Sequence, residues 1–235
     1  MRGLGTIVNV VAIVAGTSVG LLVGPRVPDR VRVTVLQAVG LVVVALGVRE
    51  VVASDNVVFP LVAVVLGTLV GEALRVEDRL EAVGERVRRR AERGRASDAG
   101  GQSTFVEGFV AATLLYCVGP LAVLGSIEDG LTGDVGLLAV KSALDGLVSV
   151  IFAATLGWGV GFSVIPLALY QGAITVAAGA ADAVLTDRMI LETSATGGVM
   201  ILGIGVRLLE VKHVRVGSML PGVLIAPVLV ALFAR

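Results

Sequence analysis

Residues 146–181 read GLVSVIFAATLGWGVGFSVIPLALYQGAITVAAGAA, a run of 36 residues without Asp, Glu, Lys or Arg. As one α-helix this run would be about 54 Å long, at a rise of about 1.5 Å per residue. The hydrocarbon core of a bilayer is only about 30 Å thick, so the run is long enough for two crossings. The glycine-rich segment 157–161, followed by Pro166, is where we expect the chain to turn between them.

The whole chain has the composition of a membrane protein. Hydrophobic residues make up 56% of its 235 residues and charged residues only 16%, whereas an average soluble domain has roughly 25% charged residues. With so few charged residues, a soluble fold of this size could not cover its surface with charge. A nucleic-acid-binding protein would need a basic surface, whereas this chain has a formal net charge of zero. The charge-free windows predict an all-α integral membrane protein with about eight spans: 4–24, 34–53, 57–74, 105–125, 136–157, 162–180, 194–210 and 217–234.

The distribution of charge predicts how these spans are oriented. Residues 75–95 carry eight Arg and five acidic residues in an amphipathic pattern, and the positive-inside rule places such a segment in the cytoplasm. Eight spans then put the other basic loops inside, the mostly acidic loops outside and both termini outside. The Arg-rich helix has two interpretations: a surface for lipid headgroups or a partner, or a solvated face that only fixes the topology.

The use of 17 Arg against two Lys is typical of a GC-rich prokaryotic genome. We therefore expect a multi-pass protein of a prokaryotic plasma membrane, with residues 75–104 in the cytoplasm.

Self-comparison of the sequence predicts an internal repeat, although a composition rich in Val and Gly can imitate one. Segments 15–24 and 38–49 resemble 171–179 and 195–207, and Pro60 and Pro221 follow at similar distances. Spans 1–3 would then match spans 6–8 with inverted direction, an arrangement typical of transporters and of some channels. The predicted organisation is a first repeat (1–74), a cytoplasmic loop (75–104), a central helix pair (105–157) and a second repeat (158–235).

Lys141, Asp145 and Ser149 form the strongest candidate site. They are spaced four residues apart and therefore lie on one face of span 5. Charged groups inside a membrane are costly and usually face a cavity or a partner. In one interpretation Asp145 is a coupling carboxylate, with Lys141 as its counter-ion or as a contact for an anion. In the other, the two charges are a self-neutralising structural pair near the outer interface.

A second candidate lies in span 4, where Cys117, Gly119 and Pro120 occur close together. Pro120 removes the backbone hydrogen bond to the carbonyl of Tyr116, and Gly119 loosens the same turn. The pattern predicts either a broken helix at a permeation site or a proline kink used for packing. The Cys117 thiol itself suits packing better than metal ligation.

Two uncharged amides complete the predicted pathway. Asn9 interrupts the apolar span 1, and Gln171 is placed at a comparable depth in span 6. Amides suit a polar pore lining or a hydrogen bond between helices, and both interpretations stay open. Span 1 also repeats glycine every four residues at Gly16, Gly20 and Gly24, which indicates close helix packing first and homo-oligomer formation second.

Signatures of cofactor and metal chemistry are missing from the sequence. The single histidine, His213, lies in a loop, and the single cysteine cannot form a cysteine cluster. No phosphate-binding loop, nucleophile elbow or haem motif occurs. We therefore expect no cofactor, no metal, no catalytic residue and no nucleic acid. The predicted partners are the lipid bilayer and an unknown small solute or ion, besides the homo-oligomer that the glycine repeat allows.

Several blocks of sequence together resemble a known family. They are GTIVN at 5–9, YCVGP at 116–120, LGSIEDGLTGD at 124–134, KSALDG at 141–146, YQG at 170–172, and the pairs at 197–198, 209–210 and 220–221. The chain is similar over nearly its whole length to the prokaryotic membrane family called domain of unknown function 554, or YqgA-like. The resemblance implies a membrane transport protein and names no substrate. Tyr116, where the family pattern has Phe, is a mild departure.

The sequence therefore predicts a transporter or channel for a small solute or ion. Its predicted pathway residues are Asn9, Cys117, Gly119, Pro120, Lys141, Asp145, Ser149 and Gln171. A membrane-embedded enzyme is one alternative, for which only Asp145, Lys141, Glu107 and Glu192 could supply acids and bases. A membrane scaffold is the other, and the low complexity of residues 75–101 argues against it.

Overall fold

The apolar windows form α-helices. In a bilayer core there is no water to bind the backbone, and an α-helix satisfies its backbone hydrogen bonds within its own segment. The computed structural model describes residues 2–91, 101–117 and 119–233, and the chain is all-helical throughout that part. The helices are α1 (Leu4–Val23), α2 (Asp29–Val52), α3 (Val58–Ala73), α4 (Val76–Ala91), α5 (Gly101–Cys117), α6 (Pro120–Thr132), α7 (Gly136–Leu156), α8 (Gly159–Phe162), α9 (Val164–Val176), α10 (Ala178–Val184), α11 (Asp187–Leu208) and α12 (Pro221–Phe233).

Six segments of the described chain are long and apolar enough to cross a membrane. They are Leu4–Arg26, Val33–Val52, Gly136–Leu156, Gly159–Val176, Asp187–Leu208 and Val216–Phe233. A seventh candidate is the pair α5 and α6, which is bent by 58° at the break between them. Helix α3 is apolar but shorter. The fold is therefore that of a multi-pass membrane protein with six or seven apolar candidate spans.

Span 4, predicted over 105–125 with either a break or a kink at Gly119 and Pro120, consists of two helices. Gly119, at the break, has φ 118° and ψ 150°, a conformation that essentially only glycine adopts. Pro120 follows as the first residue of α6, where a proline lacks no hydrogen bond that the helix would otherwise make. The second half continues to Thr132, seven residues beyond the predicted end.

Two other predicted boundaries differ from those of the structure. Span 7 was expected to begin at 194, whereas α11 begins at Asp187 behind the Thr186 cap. Glu192 lies before the predicted start, and its side chain is fully buried. Predicted span 6, 162–180, is divided between α9 and the short α10. Residues 92–100 of the predicted cytoplasmic loop lie outside the described part of the chain.

The chain turns between α7 and α8 within the segment 157–161, where the turn was predicted. Gly157 ends α7 with a positive φ of 81°, which glycine adopts without steric cost. The rings of Phe105, Trp158 and Phe162 pack together at this turn, with centroids 4.3–5.9 Å apart.

Helix α1 packs along α7 more extensively than along any other described helix. Gly16, Gly20 and Gly24 face the backbone carbonyls of Gly146, Val150 and Ala154, so no side chain larger than hydrogen fits at these positions. The three contacts advance together along both helices, which means that α1 and α7 run in the same direction. The glycine stripe therefore serves close packing within the chain.

Three other helix pairs run antiparallel: α1 with α9, α2 with α11 and α3 with α12. The contacts that show these directions are Asn9–Gln171 with Thr17–Gly161, Gly40–Leu209 with Gly47–Gly198, and Gly67–Gly222 with Gly71–Ser218.

Two buried carboxylates tie the helix ends together at one end of the bundle. Asp129 of α6 accepts hydrogen bonds from the backbone N–H groups of Gly3 and Gly5, each at 3.1 Å, and so caps α1. Glu192 of α11 accepts the N–H groups of Asp55 and Asn56, in the turn before α3. We call this the acidic end.

The opposite end, which we call the basic end, is joined by ion pairs to the amphipathic helix α4. Arg207 at the end of α11 pairs with Glu77 of α4 at 3.3 Å. Arg215 pairs with Glu72 at 3.1 Å and with Asp78 at 2.7 Å. Helix α4 thus lies against the ends of the apolar helices.

Candidate functional site

A chain of polar contacts crosses the interior of the bundle and connects α1, α7 and α9. Lys141 donates to Asp145 Oδ2 at 2.5 Å. The Asn9 side-chain amide donates to the same Asp145 oxygen at 3.1 Å and to Gln171 Oε1 at 3.4 Å. Ser149 lies one turn further along α7, where its hydroxyl donates to the backbone carbonyl of Asp145. Five of the residues predicted for the pathway thus meet at one place.

These residues are removed from the surface although they carry charge or amide groups. Asn9 and Gln171 are 0% exposed, Lys141 is 5% exposed and Asp145 is 7% exposed. An unpaired charge at such a position would be strongly destabilising, so Lys141 and Asp145 depend on each other. The surrounding helices are apolar, so this chain of polar contacts is unusual in its environment and marks a candidate functional site.

Asp145 fixes the orientation of both amides. An ionised carboxylate can only accept hydrogen bonds, so Asn9 must present its NH₂ group to Asp145. That same NH₂ group then faces the carbonyl oxygen of Gln171. Two buried atoms are left without a hydrogen-bond partner: Asn9 Oδ1, an acceptor, and Gln171 Nε2, a donor.

The predicted break in span 4 lies beside this chain. A cavity of about 320 Å³, which we call the Asp145 cavity, is lined by Gly119, Lys141 and Asp145, and also by Arg49 and Glu50 of α2. The positive-φ backbone at Gly119 therefore lines the same cavity as the ion pair.

Cys117 and Pro120 take a smaller part in the site. The Cys117 side chain is partly buried and packs against the hydrophobic core, as its packing interpretation predicted. Pro120 contributes the start of α6 and thereby the direction of the helix after the break. Tyr116, which was not among the predicted pathway residues, is fully buried, and its hydroxyl forms a hydrogen bond with the Ser149 hydroxyl at 2.7 Å.

A second cavity of about 500 Å³, which we call the vestibule, lies at the acidic end between α1, α6 and the α9–α10 region. Arg2, Thr6, Gly172 and Thr175 are among its lining residues. The hydroxyls of Thr6 and Thr175 are buried and have no hydrogen-bond partner. Sequence reasoning missed both threonines.

The spacing of the two threonines in the sequence could have identified them as candidate site residues. Thr6 precedes Asn9 by three residues and Thr175 follows Gln171 by four, so each shares a helix face with an amide already singled out.

The remaining buried acids have structural partners. Asp129 and Glu192 are occupied by the backbone groups that they cap. Among the described residues, no group of three or more His, Cys, Asp or Glu side chains is arranged to hold a metal ion.

Comparison with known proteins places this geometry in a family context. Residues 4–231 match the family model described as "Protein of unknown function (DUF554)". The chain is 31% identical over 223 residues to "Uncharacterized protein YqgA" of Escherichia coli (strain K12), which covers 95% of this chain and 94% of that protein. It is 30% identical over 230 residues to "Uncharacterized membrane protein YdfK" of Bacillus subtilis (strain 168), covering 96% and 95%. No solved structure matches the chain.

Proposed function

The chain belongs to the family described as protein of unknown function DUF554, and from that premise and its geometry we propose that it transports a small solute or ion across a prokaryotic plasma membrane, as a carrier or a channel. The observation that carries this proposal is the buried chain Asn9–Asp145–Lys141 in the middle of apolar helices. Ionisable groups at such depth usually mark a pathway, because a purely structural pair is replaceable by apolar residues.

The position of the two cavities supports a pathway through this chain. The Asp145 cavity reaches Lys141 and Asp145 from one side. The vestibule ends at Thr6 and Thr175, one turn from Asn9 and Gln171. In this proposal the solute passes from the vestibule to Asp145 by way of Asn9, and it breaks the hydrogen bond between Asn9 and Asp145.

We also propose the eight-span, inverted 3+3 architecture, with α3 as the short third span and the bent pair α5 and α6 as the fourth. The glycine contacts between α2 and α11 support it. Cβ atoms built on Gly47 and Gly198 would lie 2.8 and 3.0 Å from each other's carbonyl oxygens. At their aligned repeat positions, Gly205 and Gly40, a Cβ built on Gly205 would lie 3.1 Å from the carbonyl oxygen of Gly40. Such reciprocal contacts are those of a two-fold axis.

The topology follows in the same proposal. The basic end, with α4 and the residue 75–104 segment, lies in the cytoplasm, and the acidic end with both termini lies outside. The antiparallel pairing of α1 with α9, α2 with α11 and α3 with α12 agrees with this alternation.

Transport fits the site better than catalysis does. Glu192 is one of four acids and bases that an enzyme could use, and its carboxylate is already occupied by the turn before α3. Asp145 is likewise held by Lys141 and Asn9.

The test is flux in proteoliposomes loaded with fluorescent pH and ion reporters. Asp145→Asn is expected to reduce transport by at least about tenfold, because the loss of one buried pathway charge costs more than about 1.4 kcal/mol. The matched control is Asp182→Asn, which changes an exposed acid at the acidic end and leaves flux unchanged. Normal transport by Asp145→Asn, or no flux by the wild type, would contradict the proposal.

A further inference from the structure

The Asp145 cavity has four charged side chains in its wall. Two of them, Lys141 and Asp145, neutralise each other through their ion pair at 2.5 Å. The other two, Arg49 and Glu50, are neighbours near the end of α2, where Arg49 is exposed and Glu50 is half-buried. Neither forms an ion pair or a side-chain hydrogen bond with any residue that the structure describes. The cavity therefore offers one cation and one anion that the protein itself does not pair.

An apolar groove continues from this cavity between α2 and α7. The groove has a volume of about 280 Å³, and every described residue that lines it is Val, Ala, Leu, Ile or Phe. It shares four lining residues with the Asp145 cavity: Val42, Leu46, Leu115 and Val148. The two spaces therefore adjoin. Together they have the character of a small-molecule site, which is mostly apolar with a few polar groups that fix the orientation of the ligand.

The two unpaired charges restrict the head group of a ligand. The Arg49 guanidinium is always charged and binds a carboxylate through two parallel hydrogen bonds. The Glu50 carboxylate accepts hydrogen bonds from an ammonium group. A simple cation would be attracted by Glu50 and repelled by Arg49, and a simple anion would meet the reverse conflict. A zwitterion satisfies both side chains and leaves the ion pair between Lys141 and Asp145 intact.

We propose that the Asp145 cavity and the apolar groove together bind a small zwitterion with an apolar tail, of the class of the hydrophobic amino acids. Arg49 binds its carboxylate and Glu50 binds its ammonium group. The tail packs against the wall that the two spaces share, which includes Leu46 and Val148. The inference rests on the proposed transport function and names its substrate class.

The test compares leucine with three ligands that each lack one of its groups. Isocaproate lacks the ammonium group, isoamylamine lacks the carboxylate and glycine lacks the tail. Binding of each to the purified full-length protein in detergent is measured by isothermal titration calorimetry. Leucine is expected to bind at least about tenfold more tightly than each of the others, because each has lost either a charge-assisted contact or the apolar contact.

Two variants match each charge of the ligand to its partner. Arg49→Gln is expected to weaken leucine binding at least about tenfold without weakening that of isoamylamine, which has no carboxylate. Glu50→Gln is expected to weaken leucine binding similarly without weakening that of isocaproate. The midpoint of thermal unfolding without ligand checks that both variants fold. Arg26→Gln and Asp182→Asn change exposed charges outside the cavity and are expected to leave all four affinities unchanged.

The outcomes separate this inference from the proposed function. Equal binding of leucine and isocaproate, or of leucine and isoamylamine, would overturn the inference and indicate a groove that takes any apolar tail, including a lipid acyl chain. Equal binding of glycine, or no binding of leucine, would overturn it as well. Flux that depends on Asp145 without leucine binding would leave transport standing. Leucine binding without uptake of labelled leucine or flux of any ion would keep the binding site and overturn transport.

Discussion

At the residue scale, Asp145 is the side chain on which the site depends. It receives Lys141 and Asn9 at one oxygen, and its backbone carbonyl receives Ser149. Lys141 in turn lies 5.9 Å from the centre of the Tyr116 ring, close enough for a cation–π contact. Each charge therefore has a second neighbour besides its ionic partner: a neutral amide for the carboxylate and an aromatic ring for the ammonium.

These neighbours predict different costs for removing each charge. Lys141→Ala leaves a buried anion with only Asn9 to support it, and is expected to lower the free energy of unfolding by about 3–5 kcal/mol. Asp145→Asn is expected to lower the free energy of unfolding by less than half as much. The new amide oxygen still accepts a hydrogen bond from Asn9, and the Lys141 ammonium retains its contact with the Tyr116 ring. Thermal or denaturant unfolding in detergent measures both, with the exposed Lys212→Ala as the control. Equal losses for the two variants would show that the aromatic contact contributes nothing.

The sequence was most informative about residues whose relations are local. The spacing of Lys141, Asp145 and Ser149 places them on one helix face whatever the tertiary fold. The meeting of Asn9 with Gln171 was predicted only as a similarity of depth, and their contact required the antiparallel packing of α1 and α9. The bond between Tyr116 and Ser149 had no local signal, because it depends on how α5 crosses α7.

At the element scale, the break between α5 and α6 is a backbone feature. Gly119 has φ 118° and lines the Asp145 cavity. The sequence predicted a break here because glycine and proline occur together. It misplaced the end of the second half, just as it misplaced the start of α11, because the predicted spans exclude the charged residues Asp129 and Glu192, which the structure buries within helices. Burial of an acid by capping cannot be read from a hydropathy window.

The backbone of this break predicts a specific effect of substitution. Gly119→Ala is expected to destabilise the protein by about 1–3 kcal/mol, since a Cβ is strained at this φ and ψ. Gly179→Ala is the matched control: that helical glycine has no heavy atom within 4 Å of a built Cβ, so alanine is expected to be neutral or slightly stabilising. The midpoint of thermal unfolding distinguishes the two variants. A Gly119→Ala protein that melts like the wild type would argue against the positive φ.

At the scale of the whole molecule, charge separates the two ends of the bundle. Helix α4 and residues Arg207 and Arg215 gather at the basic end, and Asp129 and Glu192 lie near the other. The composition of the windows was sufficient to predict an all-helical membrane protein. It was not sufficient to give the number of crossings, because α3 is short and the fourth span is broken.

The proposed orientation predicts which positions are accessible from outside the cell. In a Cys117→Ser background, Asp134→Cys is expected to react with an impermeant maleimide in intact cells, whereas Lys212→Cys at the basic end is expected to react only after the cells are permeabilised. Both native side chains are exposed, so burial does not explain a difference. Labelling of Lys212→Cys in intact cells would reverse the topology.

The caps at the acidic end also set an order of events during synthesis. The N–H of Gly3 donates to a carboxylate 126 residues further along the chain, and the Ser54 hydroxyl donates to Glu192, 138 residues further along. At a translation rate of about 5–20 residues per second, roughly 6–25 s separate the emergence of α1 from that of Asp129. The ends of the first helices are therefore synthesised before the carboxylates that bind them, and the later half of the chain completes them. A nascent chain arrested before α6 is therefore expected to hold its first helices without these caps.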